Sequence, residues 1–205
     1  MKRNRTGMKV EEAWPILQEA IDKKIEMIEG IKEDNFSVQE LMNIYTITYK
    51  IATYGPRNGI ECQKLYDRYN KVLQYYISSK VLPYFKGMKE DILVQEVLIR
   101  WNNYKRMTKW LETFFLILER RRYISYKGLP NLQEASYSIF FKLALDVEVR
   151  KSLVGMIHRH SKGEKIDQEL LMDAINMYVE IGNEYYEQHF KYDILKEAHK
   201  FYCSY

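Results

Sequence analysis

The segment Trp101 to Tyr123, WNNYKRMTKWLETFFLILERRRY, carries more apolar surface than one buried helix face requires. At about 100° per residue with Leu111 at zero, Tyr104, Met107, Phe114, Phe115 and Leu118 fall within roughly 60° of it and form one core stripe. A second stripe of Trp110, Thr113, Ile117 and Ile124 lies near 200–260° on about the same scale, edged by Arg120 and Arg121. Such a helix is either covered on both faces inside a large helical protein or packed on one face and open to a partner on the other. Periodicity alone leaves both outcomes standing.

The second helix has the same excess. Ser37-Val-Gln-Glu40 has the form of a capping box, and Phe36 before it is placed to staple onto Leu41. With Leu41 at zero, Leu41, Ile44, Ile47, Thr48 and Ile51 cover roughly 240–360°, while Val38, Met42, Tyr45, Tyr49 and Ala52 occupy about 20–100°. Gln39, Asn43, Thr46 and Lys50 are left as the polar side. Tyrosine and methionine suit a binding surface, since a tyrosine ring can be covered while its hydroxyl stays wet and methionine adapts its shape.

The same three- and four-residue spacing recurs elsewhere, and alternation never persists, so the chain is predicted all-helical with short connections. A first helix is expected over 10–29, stopped by Gly30, and a third runs to about Phe85, with Leu65, Tyr69, Val72 and Tyr76 on one face and Pro83 near its end. A fourth, about 89–102, leads into the opening segment. Gly128-Leu-Pro130 marks a boundary, followed by helices at about 132–145, 147–161, 167–188 and 189 to the end. Asp167 is the expected N-cap of the third of these, with Ile166 and Leu171 as a staple. Tyr54-Gly-Pro-Arg-Asn-Gly59 reads as a loop, and MKRNRTG as a frayed basic tail. No clean internal period is visible.

Composition fits an ordered helical protein, with 46% hydrophobic and 29% charged residues, 9 glycines and 4 prolines in 205 residues. The 32 basic and 28 acidic residues are interspersed, which argues for solvated helix faces and against a nucleic-acid footprint. Arg120, Arg121 and Arg122 fan over about 200° on a helix and complement its C-terminal dipole. No apolar run approaches the ~20 residues of a membrane span. Cys62 and Cys203 form no CxxC pattern, and no apolar signal peptide precedes them, which reads as a reduced intracellular compartment.

Catalytic chemistry has no constellation behind it. There is no glycine-rich phosphate loop, GxSxG elbow or HExxH motif. His158 and His160 sit two apart and point to nearly opposite sides of a helix, and His189 and His199 lack a local ligand partner. Cys62 has nothing in sequence to activate it. No cofactor, metal or catalytic residue is expected.

Several blocks in order resemble the N-terminal domain of a cullin: Trp14-Pro-Ile-Leu-Gln18 through Ile28-Glu-Gly30, Leu65-Tyr-Asp-Arg-Tyr69, Tyr76-Ile-Ser-Ser-Lys-Val-Leu-Pro83 and Arg100-Trp-Asn-Asn-Tyr-Lys105. Gly163-Glu-Lys-Ile-Asp167, Tyr178-Val-Glu-Ile-Gly182 and Phe201-Tyr202 continue the match, which is similar above all to plant members of the cullin-1 class. The resemblance implies an elongated stalk of stacked five-helix cullin repeats: a basic tail over 1–9, a first repeat over 10–130 and a partial second over 131–205. It also implies a non-catalytic scaffold of a multisubunit ubiquitin ligase, in cytoplasm and nucleus. Its partner would be a Skp-type adaptor carrying an F-box protein, gripped by the second and fifth helices of the first repeat. Carried over by position, the contacts fall on Leu41, Met42, Tyr45 and Tyr49, and on Trp110, Thr113, Ile117, Arg120 and Arg121.

Two departures qualify the match. An aromatic that the family commonly has where Leu41 stands is absent, which implies retuned adaptor affinity. The sequence given ends at Tyr205, inside what resembles the second repeat, so the family's RING-box-binding domain is not expected on it. Such a chain would occupy adaptors in competition with a full-length cullin. The competing reading is a basic helical nucleic-acid module using Arg120 to Lys127, which would show steep salt dependence of binding.

Overall fold

Helix-start chemistry and apolar periodicity agree along most of the chain, and the computed structural model is helical accordingly. It describes residues 8–54, 59–187 and 190, and among these there is no strand. The elements are α1 (Val10–Ile28), α2 (Val38–Tyr54), α3 (Ile60–Tyr76), a π turn (Ile77–Val81), α4 (Leu82–Phe85), α5 (Glu90–Phe115), α6 (Ile117–Arg120), α7 (Tyr123–Lys127), α8 (Leu132–Ala144), α9 (Val147–Ser161), α10 (Gln168–Ile181) and α11 (Asn183–Tyr186). Most of the Tyr54–Gly59 loop, the tail over 1–7, and the last helix with His189, His199 and Cys203 lie outside the described residues.

By its contacts the chain divides into two compact units, one of residues 1–73 and 103–136, the other of 74–102 and 137–205. They interleave in sequence, because α3, α5 and α8 each run from one into the other. The repeat boundary expected at 130 falls in the link between α7 and α8.

In the first unit the stripe of α1 is buried as its spacing predicts: Val10, Ala13, Trp14, Leu17, Ile21, Ile25 and Ile28. Each large aliphatic side chain so covered stabilises the unit by roughly 1.5–3 kcal/mol. The start of α1 is closed from α3, where the buried Glu61 accepts from the amide of Val10 at 2.6 Å. Three tyrosines tie the core to the segment leading into α8: Tyr66, Tyr69 and Tyr104 donate their hydroxyls to the carbonyls of Pro130 (2.9 Å), Leu132 (3.0 Å) and Ser136 (2.8 Å). Each ring is buried while its polar end is satisfied.

The second unit is organised around Trp101 on α5. Its ring meets Tyr137 at 5.0 Å and Phe140 at 4.8 Å, and its indole N–H donates to Glu180 of α10 at 3.1 Å. Tyr178 is fully buried beside Phe141 and Phe190, with centroids 6.3 Å and 4.5 Å away.

Four boundaries differ from the sequence expectation, each for a local reason. The third helix does not continue to Phe85 as one helix. Pro83 has no N–H to give Ser79 and its ring crowds that carbonyl, and the backbone widens there into a π turn in which the Leu82 amide reaches Ile77. Conversely, the fourth helix does not end near 102 but runs on without interruption into the opening segment, since neither glycine nor proline interrupts Glu90 to Phe115. The helix expected over 167–188 stops at Ile181, where Gly182 takes φ 158°. Finally, the opening segment is not one helix to Tyr123. It breaks at Leu116, resumes for the single turn of α6, and turns through Arg122 at φ 57°. The three arginines therefore do not share a helix: Arg120 ends α6, Arg121 follows it, and Arg122 is left-handed.

Candidate functional site

The capping box at the start of α2 is formed. The Ser37 hydroxyl accepts from the Glu40 amide at 3.2 Å, and the Glu40 carboxylate accepts from the Ser37 amide at 2.7 Å and its hydroxyl at 2.8 Å. The other oxygen of Glu40 takes the Lys23 ammonium of α1 at 2.9 Å. With Lys23 as the largest cause and Ser37 next, the carboxyl is held down at about 2, against an ordinary 4.5. A cleft of about 220 Å³ lies here between Ala20 and Lys23 of α1 and Phe36, Glu40 and Asn43 at the start of α2.

Beyond the cap, α2 presents two different apolar faces. Ile44, Ile47, Thr48, Ile51 and Ala52 are buried, on the side toward which α1 and α6 pack. Val38, Met42, Tyr45 and Tyr49 are not: they are 78%, 54%, 38% and 37% exposed. The rings of Tyr45 and Tyr49 stack one turn apart, with centroids 6.2 Å apart and planes at 22°. Leu41 sits half-buried at the edge. The excess arc read from the sequence is thus divided, one half spent on the core of the first unit and the other left on its surface.

The segment from α5 to α6 resolves differently. Of its second stripe, Ile117 is 7% exposed and Ile124 3% exposed, so both are core. Ile117 lies on α6, the turn that packs against α2. Ile117, carried over as a contact, is thus buried in the first unit and lies beneath its surface. Trp110 is half-buried, its ring 5.2 Å from Phe36 and 5.0 Å from Phe114. Thr113 is exposed, its hydroxyl donating to the Lys109 carbonyl at 3.1 Å, and Arg120 and Arg121 are exposed as well. The structure thus brings α2 and α6 together, leaves Thr113 and both arginines on the surface, and takes Ile117 out of reach.

Val38 was legible as part of the second arc but is not among the residues the resemblance marks. Its exposure makes it the natural end of the stripe. Phe36 was legible only as a staple onto Leu41; its packing on Trp110 and the pairing of Lys23 with Glu40 carry no sequence signal, because those partners lie far away in the chain.

Among the described residues no group of three or more His, Cys, Asp or Glu could hold a metal ion, and no helix is long and apolar enough to cross a membrane. Cys62 is buried, its thiol 3.7 Å from the Ala52 carbonyl; burial pushes the thiol up, outweighing the nearby charge of Arg121. In the second unit a cleft of about 360 Å³ lies between Met88–Leu93 and α9. Across it Arg159 of α9 pairs with Asp91 of α5, and along the α9 wall Lys151 pairs with Glu148 three residues away (2.7 Å).

The sequence matches the cullin alpha solenoid domain over residues 14–205. It is 33% identical to "Cullin-1" of Oryza sativa subsp. japonica over 200 residues, 95% of this chain and 27% of that protein. It is 31% identical to "Putative cullin-like protein 2" of Arabidopsis thaliana, covering 95% of this chain and 53% of the relative. With "Cullin-like protein 3" of the same plant the identity is 30%, covering 97% of this chain and 78% of the relative. The chain thus spans about a quarter of the length of the first of these relatives and about half of the second.

Proposed function

This chain belongs to the cullin family, and from that premise we propose that it is a non-catalytic scaffold element of a cullin-RING ubiquitin ligase, binding a Skp-type adaptor that carries an F-box protein. The observation that carries the proposal is the exposed stripe Val38, Met42, Tyr45 and Tyr49 on α2. Its members share one helix face, and the buried Ile44, Ile47 and Ile51 behind them hold that face in place. A rigid helix presenting tyrosine and methionine loses little conformational freedom on docking, which favours a specific groove-type partner.

In this reading Met42, Tyr45 and Tyr49 form the centre of the contact, with Leu41 at its edge. Thr113, Arg120 and Arg121 supply a second strip from α5 and α6, and Ile117 fixes that strip from below. The exposed guanidinium groups suit carboxylates on the partner and steer its approach more than they add affinity. Acting alone, residues 1–205 would occupy adaptors in competition with a longer cullin, in cytoplasm and nucleus.

The test is direct binding of the 205-residue chain to a purified Skp–F-box complex, comparing wild type with Met42→Ala plus Tyr45→Ala. Truncating central anchors costs ~2 kcal/mol or more, about a 30-fold loss of affinity. Unchanged affinity would overturn the interface assignment.

A further inference from the structure

Between α1 and α2 the chain runs from Ile31 to Ser37 with every residue exposed except Phe36. Phe36 directly precedes the Ser37 cap at which α2 begins. Its ring lies 5.2 Å from Trp110 of α5, tilted by 33°, and the Lys23 ammonium of α1 stands 4.7 Å from its centroid. The same ammonium donates to Glu40 Oε1, and Glu40 Oε2 closes the capping box on Ser37. A continuous set of contacts therefore runs from Trp110 through Phe36 and Lys23 to the first turn of α2, the turn that carries Val38 and leads to Met42. Aromatic pairing, a cation over a ring and a helix cap are each modest, but here they act together on the end of one short link, whose start is bonded back to Glu26 of α1.

We propose that Trp110, Phe36 and Lys23 are positioning residues for the α2 surface: they hold its first turn in place and act on partner binding through it, without touching the partner. The inference rests on the adaptor-binding reading above and changes the role of Trp110 within it, from contact to buttress. The half-buried Trp110 ring is engaged on Phe36 and Phe114, whereas Met42 and Tyr45 are open.

Two readouts on the 205-residue chain test it: hydrogen exchange at the Glu40, Leu41 and Met42 amides, and affinity for a purified Skp–F-box complex. Trp110→Ala is expected to speed exchange at these amides about fivefold, the scale of losing a helix cap, and to weaken binding by a similar factor. Trp110→Phe, which keeps a ring against Phe36, restores both. Lys23→Met keeps the aromatic pair and removes the ion pair to Glu40 together with the cation over Phe36, so it moves both readouts in the same direction by less, even if Trp110→Ala lowers stability globally. Met42→Ala weakens binding and leaves exchange unchanged. Weakened binding with unaltered exchange in Trp110→Ala would make Trp110 a direct contact and overturn the proposal, as would faster exchange with unaltered binding. A wild-type chain that fails to bind the complex overturns the adaptor reading itself, and the exchange data still report separately whether Trp110 holds the first turn.

Discussion

The backbone of Gly59 runs against the ring of Tyr123: a Cβ added at Gly59 would stand 3.0 Å from Tyr123 Cε2. Gly59 has φ +72°, a region that costs an L-residue about 1–2 kcal/mol. The Tyr123 hydroxyl also donates to Gln63 at 2.7 Å, so ring and glycine together fix the start of α3 against α7.

Gly59→Ala is accordingly expected to destabilise the chain by ~1–3 kcal/mol, from backbone strain and displacement of the Tyr123 ring. Tyr123→Phe, which keeps the ring and loses one hydrogen bond, costs ~1 kcal/mol. Urea unfolding of both variants checks the order; a Gly59→Ala chain as stable as wild type would refute the close approach.

The two apolar faces of α2 predict opposite outcomes. Ile44→Ala empties a core position and costs ~2–5 kcal/mol of stability. Met42→Ala changes an exposed side chain and stays within about 0.5 kcal/mol of wild type. Thermal unfolding separates them before any partner is added, and equal losses would contradict the division of the helix into a buried and a free face.

Trp101→Phe removes the indole N–H that meets Glu180 and shrinks a fully buried ring. A loss of roughly 2–3 kcal/mol is expected from the cavity and the lost hydrogen bond. Glu180→Gln leaves an acceptor in place and costs less. Denaturant midpoints rank the two variants, and the reverse order would count against the hydrogen bond.

Glu40 predicts a pH signature. Its carboxyl is lowered from 4.5 to about 2, chiefly by Lys23. Because the folded value is depressed, its contribution is fully present above pH 4.5 and is lost as pH falls from there through 2. Carboxyl-detected NMR titration should give Glu40 a midpoint well below 4.5 in wild type and a higher one in Lys23→Met. An unshifted Glu40 in the wild-type chain would rule out the ion pair.

Much of the fold was legible because it is local. The buried stripe of α1, the capping box at Ser37 and Glu40, and the cap of α10, where Asp167 accepts from Leu170 at 2.9 Å, all lie within a few residues of their partners. Other features escaped. The cap of α8 was missed although it is local: Asn131 accepts from Glu134 at 2.8 Å and Glu134 accepts in return at 3.0 Å. The π turn was missed because Pro83 signals trouble without saying how the backbone absorbs it. The stop at Gly182 was overridden by an apolar pattern that continues past it.

For the candidate site, the sequence by itself determined that α2 and the segment around Trp110 carry more apolar surface than one face needs, since a 3.6-residue repeat fixes which side chains share a side. It could not determine which surplus is covered. That depends on what packs alongside, and those neighbours come from distant parts of the chain. Tertiary structure decided it: the packing of α6 on α2 buries Ile117, and Phe36 packs on Trp110. Among the described residues no element hides Val38, Met42 and Tyr45 to the same degree, and the outer face of α2 is left exposed on the first unit.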